Sequence, residues 1–397
     1  MVVDNLVVVG GGLAAHRAVV AARAAGHGAA ITVIAAEQHM PYDRPPLSKQ
    51  LLGPAEDVAR HFYHCDDLQG VDWQLGNAAV SLDTAGRTVQ TAVGHPVPYD
   101  GLVIATGKRA RPWPAPLPAK GVHMIRDLGD ALRLRDAVTP DSRVVIIGGG
   151  FIGCEAASSL IDLGVRDVTI VEVAPHPMSV LGSEVGDVAL EIIARSGVHC
   201  RFGVGVQSVD GVDAVEGLTL TTGEHLSADV LLVSIGSIPN SEWLTTGSGL
   251  ELLNGHVVCD EYCFADANIV AAGDVAAWMH PFVGTVAIEH WAIARDMGAI
   301  AVNNLLHPET KTPMSTVPTF WSDQFGIKIK SAGFVSLADT ISIVDRDPEK
   351  KSLAAEAYRN GELIGAIVFN KNRAIINYQR TIAEKIQAAP TTAAATI

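Results

Sequence analysis

Two glycine-rich turns constrain the fold more than any other feature of this chain. Gly10-Gly11-Gly12-Leu13-Ala14-Ala15 follows the apolar run Leu6–Val9, and Gly148-Gly149-Gly150-Phe151-Ile152-Gly153 follows Val144–Ile147. Each turn then opens a segment with helical periodicity. Such a strand–turn–helix brings backbone N–H groups and the positive helix end to a pyrophosphate. One turn alone is a weak signal. Two in one chain imply two dinucleotides held by two similar domains, an arrangement suited to passing electrons between nucleotide cofactors.

The chain has 397 residues, which exceeds one typical core and predicts two or three domains. A hydrophobic content of 48% with 38 glycines fits a well-buried α/β protein. Aromatic residues make up only 5%, against stacking platforms for single-stranded nucleic acid, and the formal charge of −14 disfavours a phosphate backbone as partner. No nucleic-acid partner is expected, although an acidic protein can still carry a local basic face. The five cysteines (Cys65, Cys154, Cys200, Cys259 and Cys263) are scattered and form no C-x-x-C pair. They read as buried thiols in a reducing cytosol. His16, His27, His64 and His290 show no ligand spacing, so no metal site is expected. The first apolar stretch is broken by His16, Arg17 and Arg23 and cannot span a membrane, and no targeting signal precedes it. A cytoplasmic protein without a membrane partner is expected.

Two βαβ beginnings are legible. The first is strand Leu6–Val9, helix Leu13–Ala25, strand Ile31–Ala35, and the second is strand Arg143–Ile147, helix Phe151–Leu163, strand Asp167–Val173. Alternating stretches near Val80–Val93 and Val206–Leu220 predict β-meander insertions, and Pro112, Pro114, Pro116 and Pro118 predict a linker. The pattern changes after Gly236-Ser237-Ile238-Pro239-Asn240. Strand Ile269–Ala272 leads into Gly273-Asp274, and a helix is predicted over Ile288–Leu306. From about Thr319 short strands dominate: Lys328–Phe334, Thr340–Val344, Ser352–Tyr358 and Leu363–Phe369. A last helix, Ala374–Ile386, precedes an Ala/Thr-rich tail from about residue 388 that reads as disordered.

In the second turn Gly148 permits the tight turn, Gly150 lets the backbone approach a pyrophosphate, and Gly153 allows helix–strand packing. Glu172 ends the next strand, where an acid accepts hydrogen bonds from ribose hydroxyls. A 2′-phosphate there would meet like charge, so NADH is favoured over NADPH. Ala15 replaces the third glycine of the first turn, a tolerated exchange at a packing position, and Glu37 is the acid available to a ribose.

The segment Pro41-Tyr42-Asp43-Arg44-Pro45-Pro46-Leu47-Ser48-Lys49 resembles the signature of FAD-dependent ferredoxin reductases. Ala105-Thr106-Gly107, Gly273-Asp274-Val275-Ala276, Glu289-His290-Trp291 and Phe320-Trp321-Ser322-Asp323-Gln324 extend the resemblance, in order, over nearly the whole chain. It implies FAD at the first turn and NADH at the second. Arg44, Lys49, Val80, Ala105, Gly107, Arg126, Asp274 and Trp291 match positions that line FAD in that family. Lys49 and Glu155 match a pair close to the flavin and nicotinamide, and stand as candidate catalytic residues; a purely structural ion pair is the other reading. With Gly10, Gly12, Leu13, Ala14, Ala15, Glu37, Thr106, Gly148, Gly150, Phe151, Ile152, Gly153, Glu172, Gly236, Gly273, Glu289 and His290 they complete the candidate cofactor-binding set.

The implied fold is α/β: two Rossmann-like dinucleotide-binding domains and a C-terminal α+β interface domain. Residues 1–108 with 240–316 would hold FAD, 109–239 NADH, and 317–397 would form the third unit. Related disulfide reductases place a redox-active cysteine pair where this chain has Pro45-Pro46-Leu47-Ser48-Lys49. The resemblance therefore implies hydride transfer from NADH to flavin N5, then single electrons to a small [2Fe–2S] ferredoxin that feeds a monooxygenase or dioxygenase. Lys328, Lys330, Lys371, Arg373 and Arg380 are a possible docking face or ordinary solvated charges, and a monomer or homodimer is expected. The family often has an acid at Ala36 and a glutamine at Met297, and Phe282–Ala287 lacks the basic residues usual there. An oxygen-consuming NADH oxidase, and a flavoprotein in which NADH switches an interaction surface, are the alternatives.

Overall fold

The computed structural model describes residues 3–53, 56–65 and 68–388. The tail expected to be disordered falls almost wholly outside them. Six α-helices are present among the described residues: α1 Leu13–Ala24, α2 Leu128–Ala137, α3 Phe151–Asp162, α4 Ser183–Ala194, α5 Trp291–Leu306 and α6 Asn372–Ala388.

The first glycine turn follows an inner strand of a largely parallel sheet. Strands Asn5–Val9, Ala30–Ala35 and Val71–Leu75 lie side by side, and Gly101–Ile104 and Ile269–Ala271 continue on the other flank. Only the outermost strand, Phe264–Asp266, runs antiparallel. The near-continuous apolar run of Leu6–Val9 follows from burial on both faces. Helix α1 covers one face and packs against α5. A side-chain carbon on Gly298 of α5 would collide with the Ala14 backbone, so glycine permits the close approach of the two helices.

The second turn repeats the arrangement. Strands His199–Phe202, Asp167–Glu172, Arg143–Ile147, Val230–Val233 and Val122–His123 form a parallel sheet in that order. Both expected meanders are antiparallel three-stranded sheets, and the proline-rich stretch 111–119 holds no helix or strand. Helices α2 and α4 were not anticipated. Asp127 and Asp130 close a capping box at the start of α2, a start signal of the Asp-x-x-acid kind.

The C-terminal unit is a five-stranded antiparallel sheet, Thr319–Gln324, Ile327–Gly333, Glu362–Phe369, Ser352–Arg359 and Thr340–Asp347 in spatial order, with α6 on one face. Its alternating pattern splits two cores. Phe334, Ala354 and Val368 pack against Ile375, Ile382 and Ile386 of α6, while Ile327, Ile329, Leu353 and Ile367 share a cluster with Val144, Ile146 and Leu160 near the second turn. The third unit is thus joined through apolar contact to the second. The strand Thr319–Gln324 also contacts α3 directly.

Candidate functional site

Both turns follow the same local physics. Gly10 has φ +137° and Gly148 φ +111°, values that disfavour any residue with a side chain. A Cβ on Gly10 would run into the Ala105 carbonyl, and one on Gly148 into that of Ser234. Gly153, one turn into α3, lies against the Gly148 carbonyl, which supports its packing role. Gly12 and Gly150 cap α1 and α3 with no side-chain hydrogen bond, so the helix N–H groups stay available. Around Gly150 nothing stands within 4 Å of where a Cβ would be.

A cavity of about 800 Å³ opens at the first turn. Its wall gathers most of the expected set: Gly10, Gly12, Leu13, Ala14, Glu37, Arg44, Lys49, Val80, Ala105, Thr106, Gly107, Arg126, Gly273, Asp274, Glu289 and Trp291. Phe151, Ile152 and Glu155 of α3 reach the same wall, so the start of the second unit closes the first unit's cavity. Ala15, Gly148, Gly150, Gly153, Glu172, Gly236 and His290 do not line it. Ala15 is fully buried in the helix packing, whereas Glu172 is tied to the second turn through the Gly149 amide. His290 precedes α5 with its ring 5.5 Å from Phe320. Burial pushes its imidazole down to about 4, and neutral histidine follows.

Carboxylates around the cavity are paired with cations. Arg44 Nη2 and Tyr42 Oη both donate to Glu37, and Arg44 Nη1 donates to the Arg126 carbonyl at 2.7 Å. Burial alone would raise the Glu37 carboxyl, but the Arg44 charge and these hydrogen bonds hold it below the usual carboxylate range. Lys108 lies 2.6 Å from Glu289, whose other oxygen accepts from Ser237 at 2.7 Å. Arg126 reaches Asp274 at 3.3 Å. Burial wins over that arginine and keeps the Asp274 carboxyl above its ordinary value.

Lys49 Nζ and Glu155 Oε2 are 2.6 Å apart, with Lys49 14% and Glu155 4% exposed, so water screens this pair poorly. Ser48 Oγ donates to Oε2 at 2.6 Å, and Ser322 Oγ donates to Oε1. Above the cavity Trp291 donates to Asp43 at 2.7 Å, as does Tyr63 at 2.8 Å, and the Trp291 and Trp321 rings meet edge-on at 5.7 Å.

At the second turn Glu172 accepts from the backbone N–H of Gly149 at 2.7 Å and of Ala174 at 2.8 Å. A carboxylate offers about four lone-pair sites, so acceptor capacity remains for hydroxyl groups. Nearby Cys154 is fully buried with its thiol donating to the Gly149 carbonyl, and burial raises its pKa far above the ordinary thiol value. It is packing, not a nucleophile.

Outside the candidate set, Tyr42, Ser48, Tyr63, Lys108, Asn240, Trp243, Phe320 and Trp321 also line the cavity wall. Tyr42, Ser48, Phe320 and Trp321 lie inside segments that carried the resemblance, which is the signal that could have found them. Among the described residues no cysteine lines the cavity and no cluster could hold a metal ion.

The fit of the wall to a flavin dinucleotide rests on this geometry. The positive-φ turn leaves helix N–H groups free, the volume is in the range of small-molecule cofactor sites, and the wall carries both carboxylate acceptors and cations. The fold is that of a two-unit dinucleotide-binding protein, with a large cavity at the first glycine turn and an uncrowded second turn. Residues 4–298 match the family described as "Pyridine nucleotide-disulphide oxidoreductase" and residues 319–396 that described as "Reductase C-terminal". Rhodocoxin reductase of Rhodococcus erythropolis is 33% identical over 99% of this chain and 92% of its own. The biphenyl dioxygenase system ferredoxin–NAD(+) reductase component of Paraburkholderia xenovorans is 34% identical over 83% and 81%. The crystal structure of the covalent putidaredoxin reductase–putidaredoxin complex superimposes with TM-score 0.89 at 27% identity, covering 96% of this chain and 93% of that one. This chain belongs to the pyridine nucleotide-disulphide oxidoreductase family, with the reductase C-terminal unit appended; it is an oxidoreductase that uses FAD and NAD(H).

Proposed function

We propose that the protein is an NADH-dependent ferredoxin reductase, holding FAD at the first turn and taking NADH at the second. FAD held there would supply acceptance of a hydride from the nicotinamide and release of single electrons. The chain's own residues bind, orient and exclude water. The Gly10–Ala14 turn presents N–H groups and the positive end of α1 to a pyrophosphate. Glu172, with two backbone donors already fixing its plane, accepts ribose hydroxyls and repels a 2′-phosphate. Lys49 and Glu155 hold a poorly screened charge pair beside the α3 start, where a nicotinamide would meet the cavity. Phe151, Phe320, Trp291 and Trp321 cover the site.

One observation carries this reading: the cavity wall that bears the Lys49–Glu155 pair offers no dithiol among its described residues. Electrons then leave through an outside acceptor. The proposed acceptor is a small [2Fe–2S] ferredoxin that feeds a monooxygenase or dioxygenase. Its proposed docking face is Lys328, Lys330 and Arg373, and support comes from Lys330 lying directly across the strand pair from Trp321. The protein would act as a monomer or homodimer in the cytoplasm; no helix among the described residues is long and apolar enough to cross a membrane.

Stopped-flow reduction of the purified holoprotein by NADH and by NADPH, followed by mixing with a putidaredoxin-type [2Fe–2S] ferredoxin, rubredoxin or oxygen, tests the reading. NADH should reduce the flavin at least about tenfold faster than NADPH at limiting concentration, a difference of roughly 1.4 kcal/mol, and the ferredoxin should reoxidise it faster than oxygen does. Fast reoxidation by oxygen with slow reoxidation by every iron–sulfur protein would replace the reductase with an oxidase. Slow turnover with all acceptors and an NADH-dependent change in assembly would replace it with a sensor.

A further inference from the structure

The Glu155 carboxylate is held by three side chains from two distant segments of the chain. Lys49 and Ser48 reach Oε2 from the cavity segment of the first unit, and Ser322 reaches Oε1 from the C-terminal sheet, 167 residues away in sequence. Ser322 is fully buried and donates its only hydroxyl proton to Glu155. Its oxygen in turn accepts from Gln324 Nε2 at 2.9 Å, and the same amide nitrogen faces Met178 Sδ at 3.4 Å. Ser322 and Gln324 sit two apart on one strand, so both point to the same face. The direction of the chain of hydrogen bonds is forced. An ionised carboxylate accepts only, so Ser322 must donate to it and Gln324 must present its N–H₂ to Ser322. That leaves Gln324 Oε1 buried without a partner. An unpaired acceptor is tolerated where the other end of the same amide is needed.

We propose that Ser322 and Gln324 are positioning residues for the Glu155–Lys49 pair, so that the C-terminal unit sets the geometry of the charge at the junction of the two nucleotide sites. With donors on both oxygens the carboxylate plane is locked, and the Lys49 ammonium is fixed with it. The link is covalently distant but physically short, and it runs through the unit proposed to receive the ferredoxin. The proposal rests on the reading that this pair borders the site of hydride transfer.

The test uses the FAD-loaded protein and its Ser322→Ala variant with two readouts. The first is acylation of Lys49 by acetic anhydride, followed by mass spectrometry, with Lys330 as internal control. Ser322→Ala should label Lys49 about tenfold faster than wild type, the scale of losing one hydrogen bond to a charged group, with Lys330 unchanged. The second is the rate of flavin reduction by NADH, which should fall about tenfold with little change in NADH affinity. In a Glu155→Gln background Ser322→Ala should add almost nothing to either readout, because coupled residues are non-additive. Wild-type labelling and rate in Ser322→Ala, or equal effects in both backgrounds, would overturn the proposal. Should Ser322→Ala not fold, Gln324→Leu keeps the hydroxyl but removes its donor, and should move both readouts about threefold the same way; a folded Gln324→Leu matching wild type overturns it. Failure of wild type to accept hydride from NADH would sink the functional reading instead, and Lys49 labelling would still report on the hydrogen-bond chain.

Discussion

The two glycine turns share a backbone plan and differ in everything packed around it. At the first, the acid beyond the strand, Glu37, is tied to Arg44 and Tyr42, α5 presses on α1 through Gly298, and Trp291 closes the cavity. At the second, Glu172 has hydrogen bonds only from backbone amides, nothing crowds Gly150, and Val173 is exposed. Enclosure and ion pairing suit a cofactor that stays. An open edge with a lightly held acid suits one that comes and goes. On the proposed reading, the same motif becomes a holder or an exchanger according to its tertiary surroundings.

Breaking the second turn should separate the halves most sharply. Gly153→Val drives a branched side chain into the Gly148 carbonyl and should lower NADH affinity by at least about 100-fold, roughly 2.7 kcal/mol, while the protein keeps its flavin absorbance. Titration of the purified variant with NADH checks this, and unaltered affinity would show the second turn to be no nucleotide site.

A smaller effect should come from the acids. Glu172→Arg should weaken NADH about tenfold and improve NADPH relative to it. Glu37→Gln, which removes the charge paired with Arg44, should change FAD retention and leave the coenzyme ratio alone. Fluorescence titration with FAD and steady-state kinetics with both coenzymes measure the two arms. A coenzyme ratio unmoved by Glu172→Arg removes that residue from the ribose site.

The mildest contrast is in acid. His280, at the end of the strand Ala276–His280 with its ring 4.8 Å from that of Phe334 in the C-terminal unit, is 1% exposed, and burial lowers its imidazole to about 4 from 6.5. A folded pKa below the unfolded one means the unfolded chain binds the proton first. Stability is therefore full above 6.5 and falls as the pH drops from 6.5 towards about 4. This histidine should contribute about 1.4 kcal/mol of destabilisation per pH unit in that window. Thermal melts at graded pH should show a shallower acid slope for His280→Gln than for wild type, and identical slopes would mean another group governs it.

How much could be read in advance follows from the range of each interaction. The two βαβ starts, the meanders, α5, α6 and Glu172 were legible because periodicity, positive-φ glycine turns and strand-end spacing act over a few residues. Helix α4 was missed because its start at Ser183 follows Gly182 with no side-chain cap. The pairing of Ser322 with Glu155 could not be read either. Alternation over Thr319–Gln324 says that Ser322 and Gln324 share a face, but not that this face is inside or that α3 lies beneath it.

By itself the sequence determined that two glycine-rich strand–turn–helix starts exist, that an acid ends the strand after the second, and that no C-x-x-C dithiol is present. Those properties belong to local conformation and to side-chain chemistry, which chain neighbours specify. Only the tertiary structure decided that Glu37 is already spoken for by Arg44, that α3 completes the first cavity, and that a serine from the third unit holds Glu155. Each of these depends on burying charge among partners far apart in the chain, and such burial is stable only where packing supplies every donor at once.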